Sequence, residues 1–266
     1  MSNPPVQEEA ADAARRSSFQ QPASPERAPV ATRSGARAAR PVNGILRPSR
    51  HPGFVVVIAV LGALLVTAVG FALRAHAIDL ALAQGLNSLH TGTLGLVTTL
   101  VYQGLEPTAS IAITILATGV IWASTRQLPV AAAFAGTVAL TWIPSDIVKL
   151  LVHRPRPEAG LLSHPFVPAQ IDASFPSGHT VFVTAFVIAL LFVLRGTRWM
   201  PVGVVVGTLL VVGVATSVAI DGVHYPTDTI ASVFWSVTVL PGARVVWVDW
   251  LMPRIPGIRP RSARAA

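Results

Sequence analysis

The chain contains no cysteine, which excludes a disulfide framework and a thiolate metal site and leaves redox chemistry silent about its compartment. It is also poor in charge. Asp, Glu, Lys and Arg make up 12% of its 266 residues, against roughly 25% in a soluble domain. Lysine occurs once, as Lys149, beside 19 arginines, so the chain uses arginine wherever a generic cation is enough, and Lys149 stands out. Apolar residues are plentiful at 52%, and after position 53 they fall into long blocks. These features exclude an ordinary soluble domain and point to one all-α, polytopic membrane bundle. The net charge of +8 does not signal nucleic acid, because the arginines sit mainly in the tails and short loops. The bilayer is the expected partner, and no nucleic acid is expected.

Residues 1–50 are rich in Ala, Pro, Ser and Arg and show no apolar periodicity. They cannot bury enough surface to offset the entropy of ordering, and read as a disordered basic cytoplasmic tail. Residues 51–253 read as the membrane domain and 254–266 as a second basic cytoplasmic tail. Arg15-Arg16-Ser17-Ser18-Phe19 has some likeness to a twin-arginine export signal, and Ala75-His76-Ala77 to a cleavage site. Both are set aside, because a Pro-rich stretch separates the arginine pair from an apolar block long enough to span.

Six blocks, at 54–73, 108–125, 129–150, 179–194, 200–220 and 229–250, approach the roughly 20 residues that cross hydrocarbon. The fourth is short, and 92–104 is apolar enough to confuse the count. Ile78, Leu82, Leu86 and Leu89 recur at helical spacing, which fits an interfacial helix or a helix packed on the bundle. A cytoplasmic N-terminus puts eight tail arginines, Arg126, Arg195, Arg198, Arg254, Arg259, Arg261 and Arg264 inside. Only Arg74, Lys149, Arg154 and Arg156 then lie outside. The positive-inside rule therefore predicts a multi-pass cell-membrane protein with both termini cytoplasmic.

Three polar clusters remain at the non-cytoplasmic end: 149–157, 176–179 and 221–228. Basic side chains on this side are not explained as lipid anchors, which belong on the other face. Cations near helix ends, among them the planar Arg fork, suit a phosphate. Ser177-Gly178-His179 opens a span, where free backbone N–H groups and the helix dipole favour an anion. A plain Ser N-cap is the alternative if that tripeptide stood alone. His224 and Asp228 lie four apart across Pro226, so the carboxylate can reach one imidazole nitrogen and leave the other nucleophilic. As an interfacial group, His224 is expected to face solvent. Two histidines, a carboxylate and several phosphate donors specify covalent phosphoryl transfer better than a metal site.

Lys149 followed by Arg156-Pro157, then Pro176-Ser177-Gly178-His179, then Gly222-Val223-His224-Tyr225-Pro226-Thr227-Asp228 resemble the three ordered motifs of the type-2 phosphatidic acid phosphatase superfamily, which also contains vanadium haloperoxidases. The match covers about 129–235. The resemblance implies a membrane lipid phosphatase in which His224 attacks phosphorus, Asp228 orients it, and His179 protonates the leaving oxygen and then activates water. It also implies that Lys149, Arg156, Ser177 and the Gly178 amide hold the phosphate oxygens, with Arg154 as an auxiliary and with no metal or cofactor. The expected substrate is an isoprenoid diphosphate, a phosphatidylglycerophosphate or a phosphatidate.

One position departs from the family. The third motif usually begins Ser-Arg, where this chain reads Ser217-Val218-Ala219-Ile220-Asp221. Loss of a charge-stabilising donor costs on the order of 3 kcal/mol in the transition state, and Asp221 adds a negative charge unless Arg154 or Arg156 pairs with it. A catalytically weakened lipid-phosphate binding or transport protein of the same fold is therefore the alternative. A haloperoxidase is the third reading, disfavoured because such relatives are typically soluble. Oligomeric state is not legible.

Overall fold

A computed structural model describes residues 43–260; the tail readings for 1–42 and 261–266 lie outside the described residues. Those described contain helices and no strands. The helices are α1 (Pro52–Ala75), α2 (Leu80–Asn87), α3 (Gly92–Gln103), α4 (Pro107–Thr125), α5 (Leu128–Val152), α6 (Gly178–Leu194), α7 (Met200–Ile220) and α8 (Pro226–Arg244). The chain then continues through a π-helical turn, Val245–Leu251, and a 3-10 turn, Met252–Arg254. Five helices carry proline in their first two positions: Pro52, Pro107, Pro129, Pro201 and Pro226. Proline is pre-organised there, and the N–H it lacks would have no intrahelical partner.

All six apolar blocks are helical. Five of these helices are long and apolar enough to cross a membrane; α6 has 17 residues and, at about 1.5 Å per residue, falls short of the ~30 Å hydrocarbon core. Large apolar side chains face outward along them, including Leu64 on α1, Leu116 on α4 and Leu209 on α7. Such faces are stable against lipid rather than water, and the chain is a multi-pass membrane protein.

Helix α8 lies at the centre, packed on α1, α5 and α6. Small residues allow α1 and α8 to approach closely: a Cβ at Gly62 would stand 2.5 Å from Thr238 Oγ1, and one at Gly242 would stand 2.4 Å from Ala59 Cβ. Ser232 and Ser236 of α8 donate to Ser177 O and Val181 O of α6, at 3.1 and 3.3 Å. These bonds hold the start of α6 beside the start of α8.

The short segment α2 combines both readings made of it. Leu82, and Leu89 just past its end, are exposed, while its buried Asn87 donates to Ile220 O at 3.0 Å and His164 O at 2.9 Å. It is packed on the bundle and keeps an apolar outer stripe. Residues 43–50 correct the tail reading, since they pack instead of hanging free. Ile45 is fully buried and Leu46 nearly so. Their backbone is held by Arg244, which donates to Ile45 O at 2.8 Å and also to Arg47 O, satisfying carbonyls that would otherwise be buried unpaired.

Candidate active site

Helix α5 ends just after Lys149 because His153 takes a left-handed conformation (φ 50°) and its N–H donates back to Lys149 O. The chain then turns outward through Arg154, Pro155 and Arg156. It returns along 172–177, tied to the outgoing segment by Ser174 N–H to Arg154 O (2.8 Å) and Ser174 Oγ to Pro155 O (3.2 Å). Ser177 then caps α6, its hydroxyl accepting from Thr180 N. The Lys149 ammonium lies over this helix start: a Cβ built on Gly178 would be 3.9 Å from Lys149 Nζ. A cation, a glycine amide and a helix N-terminus therefore share one small space, as an anion site requires.

His224 lies beneath Arg156. Arg156 NH1 donates to Val223 O at 2.6 Å and lies 3.4 Å from His224 Nε2. A guanidinium can only donate, so Nε2 presents its lone pair and the ring proton sits on Nδ1. That nitrogen faces Asp228 Oδ2 at 3.6 Å, just beyond hydrogen-bond length. Burial pushes the imidazole pKa well below 6.5, and Arg156 and Lys149 push it further down; His224 is neutral at pH 7. Contrary to the solvent-facing expectation, it is fully buried, because Arg156 and Val223 cover it.

His179 stacks on Tyr102 with ring centroids 4.5 Å apart. Its Nε2 lies 3.1 Å from Tyr102 O, and a carbonyl only accepts. Nε2 therefore carries a proton there, and Nδ1 is the nitrogen left for chemistry.

Arg154 is not where the sequence reading put it. It is 1% exposed and does not stand beside Lys149 and Arg156 as a phosphate donor. Its NH1 donates to Asp228 Oδ1 (2.6 Å) and Thr227 Oγ1 (2.8 Å), and its NH2 to Asp79 Oδ1 (3.0 Å). Its guanidinium also lies 4.1 Å from the Tyr225 ring centroid. Asp79 in turn accepts from Thr227 N at 2.8 Å, and Asp228 Oδ2 accepts from Tyr225 N at 2.9 Å. The site thus rests on an Asp79–Arg154–Asp228 chain that locks the carboxylate facing His224.

Two residues were missed in the sequence. Asp79, before α2, is separated by more than seventy positions from Arg154 and Thr227. Asp172, in the Pro-rich loop before α6, accepts from Arg156 Nε (3.1 Å) and NH2 (2.8 Å) on Oδ1 and from Lys149 Nζ (3.3 Å) on Oδ2. Partial burial pushes the Asp172 pKa up, but Arg156 and then Lys149 outweigh it, and the net shift is down. A lone acid in a loop carries no motif; its only sequence signal is its place four residues before Pro176.

The departure in the third motif also has a structural place. Val218 is fully buried in an apolar cluster with Tyr102, Phe166 and Val223. Asp221 pairs with neither Arg154 nor Arg156; its Oδ1 lies 3.3 Å from His90 Nε2, and burial raises its pKa.

The same segment that forms this site, residues 130–251, matches the PAP2 superfamily. That match covers just under half of the chain, and over it the chain resembles that superfamily. It is 32% identical over 95 residues to the undecaprenyl-diphosphatase BcrC of Bacillus subtilis (strain 168), a match covering 35% of this chain and 45% of that relative. The match thus spans under half the relative's length. The fold is also that of a transmembrane PAP2-type phosphatidylglycerolphosphate phosphatase crystallised from Bacillus subtilis. That likeness has a TM-score of 0.58 at 17% identity and covers 76% of this chain and 98% of the other.

Proposed function

We propose that the protein is a metal-independent membrane phosphatase that removes a terminal phosphate from a lipid phosphate or diphosphate through a phosphohistidine. The observation that carries this reading is the set formed by Lys149, Arg156 and the Gly178 amide above a neutral His224 whose unprotonated Nε2 faces Arg156. The names of the relatives point to undecaprenyl diphosphate and phosphatidylglycerophosphate as the first substrates to try, with phosphatidate as a third. A cavity of about 440 Å³ joins Lys149 and His179 to Trp142, Ile111 and Ile143. The last two are exposed on the outer faces of α4 and α5, so an acyl or prenyl chain can leave between those helices.

In the proposed reaction, His224 Nε2 attacks phosphorus while the bond to the leaving oxygen breaks, and that oxygen takes its proton from Nδ1 of His179 in the imidazolium form, which a bound phosphate anion beside the ring favours. Lys149, Arg156 and Gly178 N–H hold the charge that spreads over the equatorial oxygens. Ser177 fixes the helix start that presents Gly178. Asp228 stabilises the Nδ1 proton as the ring becomes cationic. His179 then takes a proton from water, the water oxygen attacks phosphorus, and the P–N bond breaks to release phosphate. The charge-bearing groups are side chains, and no group of three or more His, Asp or Glu placed to hold a metal occurs among the described residues. The arginine distribution supports an active site at the non-cytoplasmic face of the cell membrane, with both termini cytoplasmic.

The test is phosphate release by purified protein in detergent from undecaprenyl diphosphate, phosphatidylglycerophosphate and phosphatidate, with His224→Gln as blank. Turnover of at least one lipid by the wild type alone is expected. Equal release by both proteins, or none from any substrate, rejects the reading.

A further inference from the structure

Asp172 bridges the two cations on which the proposed function depends. Its two carboxylate oxygens take Arg156 and Lys149 separately, the arrangement two oxygens of a phosphate would adopt. The cations are well buried, with side chains 8% and 17% exposed, whereas the Asp172 side chain is 53% exposed. Buried cations without an anion are costly, so an empty site needs a counter-charge. A half-solvated carboxylate is one that can leave, because water replaces what it loses. Asp172 and Arg156 also stand in the wall shared by two cavities, of about 440 and 750 Å³. Arg156, held by Asp172, covers the buried His224.

Resting on the phosphatase reading, we propose that Asp172 is a specificity-determining residue, an internal anion that occupies the phosphate cations and that only a terminal phosphoryl group displaces. A phosphomonoester dianion or a diphosphate brings more charge and more acceptor oxygens than a carboxylate, and wins the exchange. A phosphodiester head group carries one negative charge, no more than Asp172 itself, and does not. Discrimination is a difference of affinities, and a built-in competitor raises the affinity that any ligand must reach to enter the site. A site surrounded by diester phospholipids needs such a threshold to stay free for substrate.

The experiment uses full-length protein in detergent with Asp172→Asn and Asp172→Ala, two changes at a half-exposed loop side chain. Inorganic phosphate binding is read by calorimetric titration, which needs no turnover, and inhibition of lipid-phosphate hydrolysis by phosphatidylglycerol is read alongside. Both variants are expected to bind phosphate at least about tenfold more tightly, and to be inhibited by phosphatidylglycerol at levels that leave the wild type unaffected. Unchanged or weaker phosphate binding in the folded variants overturns the proposal and makes Asp172 a positioning residue for the cations. Absence of lipid hydrolysis in the wild type, with tighter phosphate binding in the variants, rejects the phosphatase reading and leaves the internal anion standing.

Discussion

At the scale of single residues, the proposed site separates groups placed to face phosphate from groups that hold them. Lys149 and Arg156 are of the first kind, and Arg154 is of the second. Replacing Arg154 by Met leaves Asp79 and Asp228 buried without their cation, a loss of about 3–5 kcal/mol for a broken buried pair. The expected outcome is a lower thermal midpoint and a fall in kcat with little change in KM, measured in detergent. A KM effect alone would return Arg154 to the phosphate. His224 also sets a pH dependence. Burial, then Arg156 and Lys149, hold its pKa well below 6.5, so the proposed nucleophile is neutral above that range and is lost only when pH falls through its lowered value. Single-turnover rates of phosphoenzyme formation are therefore expected to show no loss attributable to His224 between about pH 7.5 and 6. A loss that follows His224 protonation with a midpoint near 6.5 would contradict the buried geometry.

At the scale of elements, helix ends do most of the positioning. The left-handed turn at His153 stops α5, Ser177 starts α6, and Asp228 caps α8, while serines along α8 hold α6 in register. Much of this was legible beforehand. The apolar blocks marked the six long helices to within a few residues, and the three motifs named Lys149, Arg156, His179, His224 and Asp228, which the fold brings to one end of the bundle. The role of Arg154 was not legible, because its partners Asp79 and Asp228 are about 75 residues away on either side. The burial of His224 was hidden for a similar reason, since the cover comes from Arg156 in another loop. Val218 read as a missing donor, yet it fills an apolar cluster with Tyr102 and Phe166. Val218→Arg would bury a charge there, so a lower thermal midpoint and no gain in turnover are expected. A gain of about tenfold, worth roughly 1.4 kcal/mol, would show that the pocket still accepts the family's arginine.

At the scale of the whole molecule, the bundle presents apolar faces outward and gathers most of its buried charge, Arg244 apart, at one end, so under the proposed function orientation decides which leaflet supplies the substrate. The lack of native cysteine makes this measurable. Ile171→Cys, at a fully exposed loop position, is expected to react with a membrane-impermeant thiol reagent in intact cells, and Thr197→Cys at the opposite end is not; the reverse pattern inverts the topology. The central claim is that His224 carries the phosphoryl group. It is tested most directly by quenching the purified protein during turnover of a lipid substrate labelled in its terminal phosphate, then mapping the label. An acid-labile, alkali-stable phosphoryl group on His224, absent from His224→Gln, is the predicted result. Label on another residue, or none in a wild-type protein that turns over while the His224→Gln protein matches its rate, would contradict it.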